Sequence, residues 1–413
     1  MASTITGILV AVIVFITLYI TIVWVSFLYL YEKKPLQLKE YPSITIAIPA
    51  YNEEKGIRKT ILSALSIDYP KDKLKIVVVN DGSKDNTQAV IESIAKEHKG
   101  EFEFILKKNE GKAKALNTAL DKCDTELFAC LDADSYVEPD SLKMMLPHFD
   151  KPNVAATISA IHVVEPKNFY EKFQRMEYIL AILTRKLMAF INTLTVTPGV
   201  LSVYKTDVLK KVGGFDNDTL TEDFEIAMRL KYYGYDIEIE TAAKTYTYVP
   251  NTFGKLWRQR VRWYRGFVEN HKKYYKMFLN KKYGALAYFQ MPLNMIGILL
   301  LIATIIFVSF GNISHIYHLI RRSMLIKGFF WTQLLSWTKP KDFILSYNTK
   351  IMLPVLVALL LGILIFYLAH KEVKEKIKFP FTIWAFFVIL PILTALHWLG
   401  ALGEMLFKSK KKW

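Results

Sequence analysis

Leu74-Lys75-Ile76-Val77-Val78-Val79-Asn80-Asp81-Gly82-Ser83 decides the fold, because an apolar β-forming run stops at Asn-Asp-Gly-Ser, a composition that turns the chain. Upstream, Ile44 to Pro49 is β-rich and Glu53 to Ser66 has helical character, so the order is strand, helix, strand. Downstream the alternation predicts a helix near Asn86 to Glu97, a strand near Phe102 to Leu106 and a helix from Lys112 to Leu120. A strand from Leu127 to Leu131 then delivers Asp132. Alternating βα units predict an α/β domain with a mainly parallel sheet covered on both faces, binding ligands at the carboxyl ends of its strands. Asp81 and Asp132 both sit at such ends.

The rest of the chain is read from its hydropathy. Its 413 residues are 52% hydrophobic, and a mean hydropathy of +0.20 is high for a wholly soluble protein. No charge occurs from Met1 to Tyr31, a run longer than the roughly 20 residues that cross a bilayer. It lacks the basic start and small-residue cleavage site of a signal peptide, so a retained anchor is expected. Lys33 and Lys34 place the adjoining charged stretch on the cytoplasmic side. Further uncharged runs lie between Lys282 and Arg321, Lys350 and Lys371, and Lys378 and Glu404, each able to hold one spanning helix. The expected organisation is a transmembrane anchor over 1–34, a cytoplasmic domain over 41–250, interfacial amphipathic helices over 251–282, and a transmembrane region with about three spans over 283–413.

That count puts the tail Lys408 to Lys412 outside, against the positive-inside tendency; a fifth crossing within Ser323 to Trp337, or a re-entrant path at Pro391, would return it. The net charge of +16 reflects lysines at the membrane flanks, so membrane lipids rather than nucleic acid are the expected partner. Cys123 and Cys130 suggest no disulfide, and the histidines have no zinc-ligand spacing.

Several short segments carry chemistry. Asp132-Ala133-Asp134 sets two carboxylates just beyond a strand, where they suit a hard divalent cation, Mg²⁺ or Mn²⁺, on a diphosphate. Asp81 suits hydrogen bonds from a base or ribose, or an ordinary Asp-Gly turn. Pro49-Ala50-Tyr51-Asn52-Glu53 suits a nucleotide base held against the sheet, or a helix start capped by Asn52 with Glu53 in its first turn. Lys112 and Lys114 open a helix whose electropositive end welcomes phosphate, or they are solvated lysines.

Thr221-Glu222-Asp223 reads as an acidic helix start, and Pro198-Gly199 as a turn or a place of close approach. Gln259, Arg262 and Trp263 share one helical face; Arg262 suits a diphosphate and Trp263 a pyranose ring. The same stretch, Phe253 to Phe278, is a basic amphipathic helix suited to a membrane surface. Asn168 to Leu194 is a second such region, or an internal amphipathic helix of the domain.

In this order, Asp, Asp-x-Asp, Thr-Glu-Asp and Gln-x-x-Arg-Trp resemble the inverting, membrane-integrated family 2 glycosyltransferases that make cellulose, chitin, hyaluronan and poly-N-acetylglucosamine. The resemblance covers Tyr41 to Phe278. It implies a GT-A fold seated on about four transmembrane helices and processive, inverting transfer from a UDP-sugar to a growing β-linked polysaccharide, coupled to its translocation. The Gln-Arg-Val-Arg-Trp pentad in a short chain most resembles poly-N-acetylglucosamine and chitin-oligosaccharide synthases.

By the same resemblance Tyr51, Glu53, Asp81, Lys112, Asp132, Gln259 and Arg262 bind the nucleotide sugar. Asp132 and Asp134 hold the Mg²⁺ or Mn²⁺, Asp223 is the general base, and Gly199, Glu222 and Trp263 meet the acceptor. The implied partners are a UDP-sugar, a polysaccharide or glycolipid acceptor, membrane lipids, and accessory membrane or export subunits. Two rival readings are single-sugar transfer to a lipid and a catalytically silent nucleotide-binding subunit of a transporter or scaffold.

Overall fold

A computed structural model describes residues 2–30, 38–326, 328–329, 331, 349–374 and 380–407. Lys33, Lys34, much of the stretch from Ser323 to Trp337, and the tail Lys408 to Lys412 lie outside the described residues. After a 29-residue helix α1 (Ala2–Leu30), the chain alternates as expected: β1 (Ile44–Ala50), α2 (Ile57–Leu65), β2 (Leu74–Asn80), α3 (Thr87–Glu97), β3 (Glu103–Leu106), α4 (Lys112–Asp121) and β4 (Leu127–Leu131). β1 pairs in parallel with β2 and β4, and β2 with β3.

Beyond Asp134 the alternation stops. β5 (Ser135–Val137), α5 (Ser141–Met145), β6 (Val154–Val163), α6 (Phe169–Phe190), β7 (Val200–Lys205), α7 (Thr206–Lys211), α8 (Glu222–Tyr232) and β8 (Asp236–Thr247) complete one eight-stranded sheet, in the order β3-β2-β1-β4-β7-β6-β8-β5. Here the expectation of a mainly parallel sheet is corrected. β7 runs antiparallel to β4 and β6, and β5 antiparallel to β8, so the sheet is mixed. The reason is topological: β7 starts from a segment lying over the carboxyl end of β4, with Leu131 paired to Val200, so the strand runs back the way β4 came.

Strand alternation divides the core. Ile44, Ile46 and Ile48 face Ile57 and Ile61 of α2, whereas Ala47, Val77 and Val79 face Leu116 of α4 and Ile226 and Leu230 of α8. α2 starts late: Gly56 is its N-cap and Asn52 takes a left-handed φ of 56°, so the Asn52 cap is not formed. Cys123 and Cys130 are buried free thiols.

The remaining helices are α9 (Phe253–Lys273), α10 (Met291–Leu325), α11 (Thr349–Val373) and α12 (Pro380–Leu406). Among the described residues two stretches, Leu286–Ala303 and Ala385–Leu406, are helical, long and apolar enough to cross a membrane, against about four expected. α6 and α9 lie between the sheet and the last two helices. The buried face of α6, including Phe173, Met176 and Leu183, meets Ala160 of β6 on one side and Phe366 and Phe386 on the other. Its two readings therefore merge: α6 is internal to the domain and also faces the apolar helices. Lys186 pairs with Glu372 at 2.7 Å and Arg265 with Glu404 at 2.7 Å, which fastens the carboxyl ends of α11 and α12 to α6 and α9.

Candidate active site

The carboxyl ends of β1, β2 and β4 enclose a cavity of about 760 Å³, lined by Pro49, Ala50, Tyr51, Glu53, Asp81, Asn109, Glu110, Gly111, Lys112, Ala115, Asp132, Ala133, Asp134 and Arg262. A larger cavity, about 920 Å³, opens at the amino ends of the same strands beside Tyr41, Lys73 and Leu127. A sheet of this kind binds ligands at the other end, and the smaller cavity gathers seven of the expected donor-side residues: Tyr51, Glu53, Asp81, Lys112, Asp132, Asp134 and Arg262.

Asp81 is buried at the base of this cavity. Its carboxylate accepts from Lys107 Nζ at 2.9 Å and from the backbone N–H groups of Glu110 at 3.1 Å and Gly111 at 2.7 Å. Asp81 therefore shapes the loop that leads into α4. Tyr51, by contrast, is 43% exposed and forms the rim.

Lys112 is not a solvated lysine. Its Nζ lies 2.6 Å from Asp132 Oδ1 and 2.9 Å from Glu222 Oε1, tying the end of β4 to the start of α8. Burial works against its charge, but Asp132, Glu222 and then Asp223 hold the ammonium well above the ordinary lysine range. Gly199 supplies the room. A Cβ there would press into the Asp132 carboxylate and lie 2.6 Å from Lys112 Nζ, so the close approach is made by this ion pair.

Asp134 carries the opposite imbalance. Burial first, and Asp132 second, push it up to about 6, and burial with Asp134 and Asp132 pushes Glu53 up to about 7. Such mutually repelling oxygens fit a divalent cation that takes a few carboxylates and completes its shell on a diphosphate. Among the described residues no group of three or more His, Cys, Asp or Glu side chains is arranged to hold a metal ion by itself.

Asp223 stands at the amino end of α8, partly exposed. Burial and the Glu222 carboxylate raise it to about 6, while Lys112 and Arg262 pull it back. Burial also pushes Glu222 up, but Lys112 outweighs it and leaves Glu222 below the ordinary range. The two adjacent acids are thus driven apart, one kept charged and one able to exchange a proton near neutrality. Thr197 Oγ1 donates to the Asp223 carbonyl at 2.9 Å, binding the segment before β7 to this turn. Thr221 is the N-cap residue, yet its side chain makes no capping bond; it accepts from Asn270 of α9 instead, at 3.2 Å.

α9 carries Gln259, Arg262 and Trp263 on one helix, as expected. Arg262 donates to the Leu220 carbonyl at 3.1 Å and reaches the cavity wall. The Gln259 side-chain oxygen is buried without a hydrogen-bond partner. The Trp263 ring covers the Arg260 guanidinium at 4.3 Å, and Arg260 pairs with Glu177 of α6 at 2.6 Å. The Glu177–Arg260 link escaped sequence reading, as did Glu225, a fully buried carboxylate that accepts from Lys273 Nζ and Tyr274 Oη, both at 2.6 Å, and pairs with Arg229. An acid one turn before an arginine on the same helix was the available signal for the last pair.

Residues 45–213 match the family model described as Glycosyl transferase family 2. Poly-beta-1,6-N-acetyl-D-glucosamine synthase of Staphylococcus epidermidis is 35% identical over 234 residues, which cover 55% of this chain and 55% of that protein. The Staphylococcus aureus counterpart is 34% identical over 245 residues, 58% of each. The chain thus spans little more than half the length of these relatives. Among solved structures, a mannosyltransferase from Pyrobaculum calidifontis in complex with GDP-Man and Mn²⁺ superposes with a TM-score of 0.62 at 21% identity, covering 88% of this chain and 99% of that one. That likeness shows the GT-A fold.

Proposed function

We propose, for a chain whose residues 45–213 match the glycosyl transferase family 2 model, processive, inverting transfer of a sugar from a UDP-sugar to the end of a growing β-linked polysaccharide. Transfer takes place at the cytoplasmic membrane face and is coupled to translocation, with a poly-N-acetylglucosamine-like product, as the staphylococcal relatives suggest. The observation that carries the proposal is the pairing of a proton-exchanging Asp223 with the Asp132–Asp134 carboxylates across the Lys112–Glu222 bridge.

In this reading Tyr51, Glu53 and the Asp81 loop hold the nucleoside, and Lys112, Arg262 and Gln259 address the diphosphate. Asp132 and Asp134 hold a Mg²⁺ or Mn²⁺, whose chemistry is to neutralise charge on the departing diphosphate. Gly199, Glu222 and Trp263 line the acceptor side. The acceptor oxygen forms a bond to the anomeric carbon as the bond to phosphate breaks, its proton passes to Asp223, and the nucleoside diphosphate leaves with inversion. The proposed organisation is an anchor over 1–34, the transferase over 41–250, interfacial helices over 251–282 and a multi-pass region over 283–413, with the transferase cytoplasmic.

The test is direct. Purified full-length protein in detergent is given a panel of UDP-sugars with Mg²⁺ or Mn²⁺, and the products are sized. Polymer from one UDP-sugar is expected. Lipid adducts carrying one sugar would replace the proposal with single transfer, and a protein that neither transfers nor hydrolyses any donor would point to the silent subunit.

A further inference from the structure

α6 presents two faces to the domain. One, with Phe173, Met176, Leu183 and Leu187, is buried in the core. Seven residues apart, and so two turns apart on another face, stand Tyr178 and Arg185, both half-buried. Glu177 beside Tyr178 is the residue paired to Arg260, whose guanidinium lies under the Trp263 ring, so this face of α6 starts next to the α9 platform. At its other end the chain leaves α6 and reaches Thr197, bonded to the Asp223 carbonyl. Asp223 is thus tethered to the segment that leaves α6, and together with Tyr178 it is a group whose charge bears on Arg185.

Among the described residues Arg185 makes no hydrogen bond and no ion pair, unlike Arg260, Arg262 and Arg265. Burial pushes the guanidinium below the ordinary arginine range, and the groups that counter this are Tyr178 and then Asp223. A half-buried guanidinium that no protein acceptor engages keeps its donors available to a ligand.

The neighbours say which ligand. The carboxylate of Asp223 would repel an anion, whereas that carboxylate, the Arg185 guanidinium and the Tyr178 ring together match a neutral hydroxylated ring. One hydroxyl gives its proton toward Asp223, neighbouring oxygens accept from the guanidinium, and the ring face lies on the aromatic group. We infer that Arg185 is an acceptor-binding residue, holding hydroxyl oxygens of the acceptor's terminal sugar so that the attacking oxygen faces Asp223. This rests on the proposed transfer to a saccharide.

The test compares wild type, Arg185→Ala and Arg185→Lys as full-length proteins, with UDP-sugar donor and short β-linked oligosaccharide acceptors. Donor affinity is read separately by calorimetric titration of the UDP-sugar with Mn²⁺. A lost hydrogen bond from a charged group predicts an acceptor KM about tenfold higher or more for Arg185→Ala. Donor affinity should stay within about twofold, and added guanidinium ion should restore part of the loss. Arg185→Lys keeps the charge without the fork and should fall between the two. If Arg185→Ala does not fold, Arg185→Lys alone decides, since it must raise the acceptor KM at constant donor affinity. Unchanged acceptor KM, or an equal loss of donor affinity, overturns the assignment. A wild-type protein that uses no saccharide acceptor fails the functional reading itself and is seen before any variant is made.

Discussion

Replacing Asp223 with Asn gives the sharpest test of the site, because one substitution has opposite effects on stability and turnover. Burial and Glu222 hold Asp223 at about 6 against an ordinary 3.8. The folded protein therefore binds this proton more tightly than the unfolded chain. The stability it contributes is full below about pH 4 and is lost as the pH rises to about 6. At roughly 1.4 kcal/mol per pH unit, the raised pKa costs the native state on the order of 1–2 kcal/mol at pH 5 and about 3 kcal/mol at pH 7. Asn is neutral throughout, and its carbonyl can still accept from the Phe224 N–H, now 2.8 Å from Asp223 Oδ1. Asp223→Asn should thus be more stable than wild type, with a gain that shrinks between pH 7 and pH 5, while transfer falls about 10²-fold or more and donor binding survives. Urea unfolding in detergent at several pH values, alongside donor titration and product formation, reads all three. A destabilised variant, or a gain independent of pH, refutes the electrostatic account; near-normal turnover refutes the role of base.

Wild-type transfer should decline as the pH falls below about 6, where Asp223 becomes protonated, while donor affinity falls separately through Asp134; a flat pH–rate profile between 5 and 8 contradicts this. Asp134→Asn should weaken Mn²⁺-dependent UDP-sugar binding about tenfold or more in calorimetry, and unchanged affinity removes Asp134 from the cation site. Trp263→Ala should shorten the polymer while donor hydrolysis persists, since stacking is worth about 1 kcal/mol; equal loss of both would mean that Trp263 only supports α9. Gly266→Ala puts a Cβ into Thr221 and should part α9 from the start of α8, lowering stability by roughly 1–3 kcal/mol. Gly254→Ala, whose nearest neighbour lies 3.8 Å away, is the control, and equal melting of the two variants defeats the packing argument. Because Glu404 pairs with Arg265, a cysteine replacing Ser409 should react with impermeant maleimide only from the side of the transferase domain; reaction from the far side alone would restore the four-span arrangement.

Sequence pattern revealed the first half of the sheet because its signals are local. A buried β-run that breaks at Asn80-Asp81 or Asp132 announces a strand end and a polar group there at once. β7 gave no such signal, since its direction depends on where the preceding segment crosses β4. Lys112 shows a related limit. Its place at a helix start was readable, but its partner Glu222 is remote in sequence, so a phosphate ligand and a solvated lysine looked equally suitable. Gly199 was readable as a place of close approach, though what approaches is Asp132 with Lys112. Arg185 belonged to a plainly amphipathic segment, yet periodicity marks only the apolar stripe, and the half-buried face acquires meaning from Asp223 and Trp263 elsewhere in the chain.

The start of α8 is fastened to the carboxyl-terminal part of α9: Asn270 and Gly266 clasp the Thr219–Thr221 turn, and Lys273 and Tyr274 grip Glu225. Asp223 and Trp263 ride on this braced pair as fixed points on one chassis. On the proposed processive reading, the displacement between successive additions then falls to the saccharide, which slides by one residue past a stationary Asp223 and a stationary Trp263. The length of that stroke would be dictated by the sugar repeat, with the helices acting as its gauge.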